Sequence, residues 1–266
     1  MSFSRRQFLR RVALVVAGVA TPVGMRQLAT QMPRAQAASP GRAASARQWA
    51  MVIDLRKCEG CETIGEPPQC TVACNEGHHL RPEQPWLPVY EVTSGNGSYF
   101  QPTPCMQCEN APCVKVCPVG ATYHDQSGVV LVDNQVCIGC RMCMAACPYG
   151  ARTFNWSEPP NSPDVRPEDY TPENSLPQRR GTVSKCMFCA HQAIEGKLPA
   201  CAKGCPMDAI YFADLLQDVA TNGNELVRLS TFLAENHAYQ LNPEYGTRPR
   251  VWYIPGHGEA FGRRLS

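Results

Sequence analysis

The chain has 266 residues, 44% of them hydrophobic and 18% charged, with a formal net charge of +2, 16 cysteines and 24 prolines. That length suits one large domain or two small ones. No run reaches the roughly 18–20 apolar residues of a membrane-spanning helix and there is no basic footprint, so neither a direct membrane span nor nucleic-acid binding is expected.

Residues 1–37 read as a targeting segment. Arg5, Arg6, Arg10 and Arg11 give a basic start, Val12–Ala20 a short apolar core, and Ala35-Gln36-Ala37 a small-x-small cleavage site. Ser4-Arg5-Arg6-Gln7-Phe8-Leu9-Arg10 resembles the twin-arginine export motif. An ordinary secretory signal or a mitochondrial presequence would share the charge, but the uninterrupted apolar core favours bacterial export. The mature protein is therefore expected in the periplasm or on the outer face of the cytoplasmic membrane. Losing the six arginines of this segment takes the formal charge from +2 to −4.

Four cysteine groups follow: Cys58, Cys61, Cys70 and Cys74; Cys105, Cys108, Cys113 and Cys117; Cys137, Cys140, Cys143 and Cys147; Cys186, Cys189, Cys201 and Cys205. Each opens C-x2-C and closes C-x3-C, and only the middle spacing varies, which marks an internal repeat. CPVGATYHD (117–125), CPYGARTFN (147–155) and CPMDAIYFA (205–213) extend it, predicting a helical turn stopped by Cys-Pro, a turn, and a short strand. Gly128–Val132 should pair with Thr122-Tyr123 around a loop at Asp125–Gly128. Asn75 replaces the proline in the first group, whose flanks, Trp49–Ile53 and Trp86–Val92, read as strands. Asn155–Ser184, rich in proline and polar residues, reads first as a solvated insertion and second as a partner-binding arm. Leu226, Val227, Leu229, Ser230 and Leu233 predict a helix over Asn224–His237, packed on the body.

Sixteen cysteines have three competing uses. Eight disulfides suit an exported protein, but the C-x2-C pairs are poor structural disulfides. Zinc favours two C-x2-C knuckles a dozen or more residues apart. C-x2-C-x2-C instead puts three sulfurs on one loop, and C-x2-C-x2-C-x3-C-P is the two-cluster ferredoxin run, in which the fourth cysteine reaches the neighbouring cluster. Residues 137–148 follow it without a break. The stretched groups one and four fit the spacing less closely. Cluster assembly needs reduced thiolates, which an oxidising periplasm does not keep, so export of a folded, loaded protein agrees with the twin-arginine reading.

The groups CMQCENAPCVKVCPVGAT, GVVLVDNQVCIGCRMCMAACPYGAR and SKCMFCAHQAIEGKLPACAKGCP resemble the four-cluster iron–sulfur subunit of complex iron–sulfur molybdoenzymes, the dimethyl sulfoxide reductase superfamily. Tetrathionate and polysulfide reductases are close comparisons, given the export signal and the RPRVWYI segment. The resemblance covers about residues 47–213 and departs from the family in the ETIGEPPQ spacer and the insertion. It implies an α+β fold of two nested ferredoxin-like dicluster units, with short strands, short helices and long loops. It also implies four [4Fe–4S] clusters: Cys105, Cys108, Cys113 with Cys147; Cys137, Cys140, Cys143 with Cys117; Cys58, Cys61, Cys70 with Cys205; and Cys186, Cys189, Cys201 with Cys74.

The expected organisation is a twin-arginine signal peptide (1–37), the first cysteine group with flanking strands (38–97), the central dicluster unit (98–156), the proline-rich insertion (157–184), the fourth group pairing with the first (185–215), and a C-terminal helix and tail (216–266). The implied role is an electron-transfer subunit, non-catalytic alone, between a molybdopterin catalytic subunit and an integral membrane quinone-interacting subunit. Alternatives are the iron–sulfur subunit of a periplasmic hydrogenase or quinone-reductase complex, and an exported binding protein stabilised by zinc or disulfides. No G-x-S-x-G elbow, P-loop or dinucleotide fingerprint offers a catalytic site. His78, His79 and His191 read as polar neighbours of the ligands or surface residues, and Trp86 and Trp156 as buried aromatics. Lys57, Arg141, Lys185 and Lys203 are expected to offset cluster charge.

Replacing Arg5 and Arg6 together by lysine should strand the protein in the cytoplasm on cell fractionation. Undiminished export of that variant would remove the twin-arginine reading.

Overall fold

In the runs WAMVID, IYFAD and VWYI apolar residues hardly alternate with polar ones, the pattern of strands covered on both faces. A computed structural model, which describes residues 47–94, 97–160 and 166–256, forms them into β1 (Trp49–Asp54), β8 (Ile210–Asp214) and β11 (Val251–Ile254). The signal peptide expected at 1–37 lies outside the described residues. β1 runs antiparallel to β8 and parallel to β11, with Met51 between Phe212 and Val251. β9 (Val219–Thr221) and β10 (Leu226–Arg228) complete a five-stranded sheet of order β10-β9-β8-β1-β11.

The two faces of this sheet do different work. Met51, Ile53, Ile210, Phe212, Val251 and Tyr253 pack on the cysteine-bearing body. Ala50, Val52, Tyr211, Ala213 and Ile254 point the other way, where Leu229, Phe232 and Leu233 of α6 (Leu229–Glu235) cover them. Part of the helix expected from 224 is thus a strand. Pairing with β9 satisfies the backbone of Leu226–Arg228, and the helix begins where Asp218 accepts from Ser230 N at 2.7 Å. The expected C-terminal tail likewise contributes an edge strand, β11.

Three hairpin-like pairs sit apart from the sheet: β2 (Val89–Ser94) with β3 (Gly97–Pro102), β4 (Thr122–His124) with β5 (Val130–Val132), and β6 (Thr153–Phe154) with β7 (Val183–Ser184). The β4–β5 turn is held by Asp125, which accepts from Ser127 Oγ and from Val129 N. Trp86 lies outside β2 and is buried, its Nε1 donating to Ser184 Oγ at 3.1 Å. Trp156, expected to be buried, is 62% exposed; its ring lies under the Arg141 guanidinium at 4.7 Å.

The described part of the insertion is not solvated throughout. Residues 166–169 are exposed, but Ser175, Leu176, Gln178, Thr182 and Val183 are buried. Polar contacts rather than apolar pattern fold it down, which is why composition read as solvated. Asn134 N donates to Tyr170 Oη at 2.6 Å and Asn134 Nδ2 to Ser175 Oγ at 3.0 Å. Gln178 Nε2 donates to the His78 carbonyl at 3.1 Å.

Gly139, in the third cysteine group, is pressed against this segment. Its φ is +69°, and a Cβ there would lie 2.1 Å from the Gly181 carbonyl oxygen. Gly150 has a similar φ of +61° with open space around it. Gly139→Ala should therefore lose about 2 kcal/mol, roughly 4–8 °C in Tm, and more than Gly150→Ala, which meets only the conformational cost. Equal losses in thermal unfolding would mean the 178–184 segment does not clamp the loop.

Candidate metal centres

The closing C-x3-C of each group places two sulfurs one helical turn apart, on the same face of a short helix. α1 (Gln69–Gly77) carries Cys70 and Cys74; α2 (Pro112–Lys115), α3 (Met142–Ala145) and α5 (Ala200–Lys203) carry Cys113, Cys143 and Cys201, and end just before Cys117, Cys147 and Cys205. α4 (Ala190–Ile194) follows Cys189 directly. α1 packs against α5, and α2 against α3. The first contact is close because residue 204 is glycine: a Cβ there would stand 2.5 Å from the Ala73 Cβ.

These helix pairs bring cysteines of different groups together. Cys58, Cys61, Cys70 and Cys205 line one cavity, Cys105, Cys108, Cys113 and Cys147 a second, and Cys117, Cys137, Cys140 and Cys143 a third. The cavities enclose about 330, 310 and 310 Å³, solvent opening included. Cys74 lies where the charges of Cys186 and Cys189 reach it, and Cys201 where those of Cys189, Cys74 and Cys186 do. Each set thus draws three sulfurs from one group and a fourth from another. All sixteen cysteines are free thiols, so the disulfide alternative has no pairs here. Among the described residues no three His, Cys, Asp or Glu side chains close on a single metal ion.

Burial dominates the chemistry of these thiols. It pushes Cys58 and Cys189 up to about 11 and Cys70, Cys108 and Cys186 up to about 12, with neighbouring thiols adding to the shift at all of these but Cys189. Cys74 and Cys201 rise well above the ordinary range for the same reason. Backbone N–H groups oppose this, and the Cys-Pro repeat supplies them at fixed places. The residues two and four beyond the cysteine donate to its sulfur: Val119 and Ala121 to Cys117, Tyr149 and Ala151 to Cys147, Met207 and Ala209 to Cys205. At Cys117, burial raises the thiol, but these donors with Thr122 and Gly120 outweigh it and leave it below the ordinary value.

His78 is 1% exposed, with Nε2 3.2 Å from Cys189 Sγ, and its ring packs on Trp86 and His191. Burial, helped by His191 and His79, pushes it down to about 3, so the ring is neutral. Against a thiolate its proton belongs on Nε2, leaving Nδ1, which has no hydrogen-bond partner, bare. Of the cations expected to offset charge, only Lys185 is buried at the ligands; it donates to the carbonyls of Val130 and Cys186. Lys57 instead meets Tyr211 and Glu225, Arg141 stacks on Phe154 and Trp156, and Lys203 is exposed. Two residues escaped the sequence reading. Gln107 donates to the Cys186 carbonyl at 2.7 Å and accepts from Val130 N at 2.8 Å, tying the second group to the fourth. Arg152 is buried among the sulfurs of groups two and three.

Residues 97–161 match a 4Fe-4S dicluster domain. A Halobacterium salinarum protein described as a candidate iron-sulfur subunit of dimethyl sulfoxide reductase is 41% identical over 226 residues, 78% of this chain and 79% of that one. A selenate reductase subunit of Mesobacillus selenatarsenatis is 39% identical, covering 78% and 72%. The iron-sulfur cluster-binding subunit of menaquinone reductase from Nitratidesulfovibrio vulgaris is 35% identical, covering 78% and 88%.

As free thiols, these groups hold their protons where the unfolded chain, with thiols near ~8.5, gives them up. Above that pH the unfolded state binds fewer protons, so stability of iron-free protein falls as pH rises from ~8.5 towards about 11 or 12. Its urea midpoint should be lower at pH 10 than at pH 8. A midpoint that held or rose would show that the thiols are not buried together.

Proposed function

The chain belongs to the iron–sulfur subunits of the dimethyl sulfoxide reductase superfamily, non-catalytic electron-transfer components of oxidoreductase complexes, and on that premise we propose that it carries four [4Fe–4S] clusters in two nested dicluster units. The observation that carries the proposal is the crossed gathering of sulfurs, three from one group and one from its partner group, in all four sets. The donor chemistry fits, since every set offers four thiols and three of the four crossing cysteines carry the donors of the Cys-Pro turn.

Bound there, each cluster would supply a one-electron couple, tuned by hydrogen bonds to sulfur, burial and nearby charge. Sixteen cysteines of this chain would hold them and give up their protons on loading. Backbone N–H groups at Val119, Ala121, Tyr149, Ala151, Met207 and Ala209 favour the ionised sulfurs. Met106, Phe188 and Phe212 keep water from the inner sulfurs.

The partners in this reading are a molybdopterin catalytic subunit and a membrane subunit that meets quinone, on the outer side of the cytoplasmic membrane. The reductase names of the relatives and the twin-arginine motif support it. No described helix is long and apolar enough to cross a membrane, so a partner would hold the chain there. The menaquinone reductase relative supports a second reading, a quinone-reductase complex. Identification of the copurifying subunits separates the two.

Protein purified without oxygen should contain about 16 iron and 16 acid-labile sulfide per chain, four cubanes' worth. Zinc without sulfide would end the redox reading. Cys205→Ser should damage the cluster at Cys58, Cys61 and Cys70 and leave the one at Cys186, Cys189 and Cys201 fully ligated. Electron paramagnetic resonance showing the reverse would refute the crossed ligation.

A further inference from the structure

Arg152 stands five residues beyond Cys147, the place that Thr122 holds beyond Cys117 in the repeated turn. It is 5% exposed. Its side chain lines the cavity of Cys105, Cys108, Cys113 and Cys147. Its Nη1 donates at 3.3 Å to Thr122 Oγ1, and Thr122 lines the neighbouring cavity with Cys117, Cys137, Cys140 and Cys143. The two equivalent positions of the repeat therefore meet between the two sulfur sets.

A guanidinium cannot shed its charge as a buried lysine can, and burying it without an anion is costly. Arg152 is absent from the ion pairs found among the described residues, and its Nη2 has no hydrogen-bond partner among them. What faces it is sulfur: Cys105 and Cys113 line the same cavity, and Cys143 of the other set lies close enough for the two charges to act on each other.

We propose that Arg152 is a counter-charge shared by the two central clusters, a positioning and tuning residue that raises the reduction potential of both together. The proposal rests on the ligand sets given above. Reduction adds one negative charge to a cluster, and a fixed cation between the two favours that charge on either side. Arginine suits the place because its planar fork presents donors in several directions from one charge. Neither outer sulfur set has an arginine at the equivalent place: Ile210 stands five residues beyond Cys205, and His79 five beyond Cys74.

The test is a redox titration of the whole complex followed by electron paramagnetic resonance, after iron and sulfide have been counted. Arg152→Gln should shift the oxidised-to-reduced ratio of both central clusters at least tenfold towards oxidised at a fixed potential, a fall of 59 mV for a one-electron couple. The two outer clusters should move less than twofold. Arg152→Lys, which keeps the charge, and Thr122→Ala, which removes only the hydrogen bond, should leave both central clusters within about threefold of the parent. A shift confined to one central cluster, or equal effects of Thr122→Ala and Arg152→Gln, would overturn the proposal in favour of a purely structural role. Should Arg152→Gln lose iron, Arg152→Lys decides: a tenfold fall in either central cluster overturns the shared charge. A parent protein without four clusters would instead remove the ligand sets, and the metal count taken first tells the two failures apart.

Discussion

Ten of the sixteen sulfurs leave water together, and most of the architecture answers that demand. A thiolate in an apolar interior is disfavoured by lost hydration and by its neighbours' charge, as the upward shifts of Cys70, Cys108 and Cys186 show. The chain meets the demand with backbone rather than with side chains. Proline after the crossing cysteine removes one donor and ends the helix, and the turn that follows aims the next free N–H groups at the sulfur. This explains why the same short unit, C-P-x-x-Ala, recurs three times while the loops before it vary in length. Alanine at its end brings the backbone close without filling the space beside the sulfur.

The conventional hydrophobic layer lies to one side of this body. β1 leads into the first cysteine group and β8 leaves the fourth, so the sheet fixes both ends of the outer pair. Residues 247–253 then return to the second group. Glu109 N donates to the Arg248 carbonyl, Asn110 N to that of Thr247, and Arg250 N to that of Met106. Tyr253 Oη donates to the Pro102 carbonyl at 2.9 Å from a fully buried position. The last described strand and the residues before it are therefore a clasp joining the sheet to the second cysteine group, with Gln107 and Lys185 as further ties.

Cysteine spacing and the Cys-Pro unit made the repeat, the helix-turn-strand order and the β4–β5 pairing legible, because each depends on contacts within about a dozen residues. What escaped reading depends on long-range partners. Val251–Ile254 is as strand-like as Trp49–Ile53, but only its parallel pairing with β1 makes it part of the sheet. Leu226–Arg228 follows a helical pattern until β9 offers its edge. The 170–184 segment folds through Asn134 and His78 rather than through an apolar stripe, so composition alone marked it as solvated. Charge was legible only in part. Adjacency in sequence pointed to Lys185, which is buried beside Cys186, but also to Lys57 and Lys203, which lie elsewhere, and it missed Arg152, which follows Cys147 by five residues and enters with the turn.

Burial also sets the four sulfur sets apart. The set of Cys117, Cys137, Cys140 and Cys143 is the open one: Cys140 is exposed, and Cys137 and Cys117 are partly so. Cys74, Cys186, Cys189 and Cys201 are all buried, with His78 as a neutral donor beside them. Desolvation opposes each added negative charge, while N–H donors and a fixed cation favour it. The open set meets water; the closed set is shut away from it and has the His78 imidazole, the buried Lys185 beside Cys186, and backbone amides such as Ala200 N, 3.5 Å from Cys189 Sγ. Two sets of four cysteines are thus given different exposure to water by one fold, and the difference arises from residues the cysteine pattern does not contain.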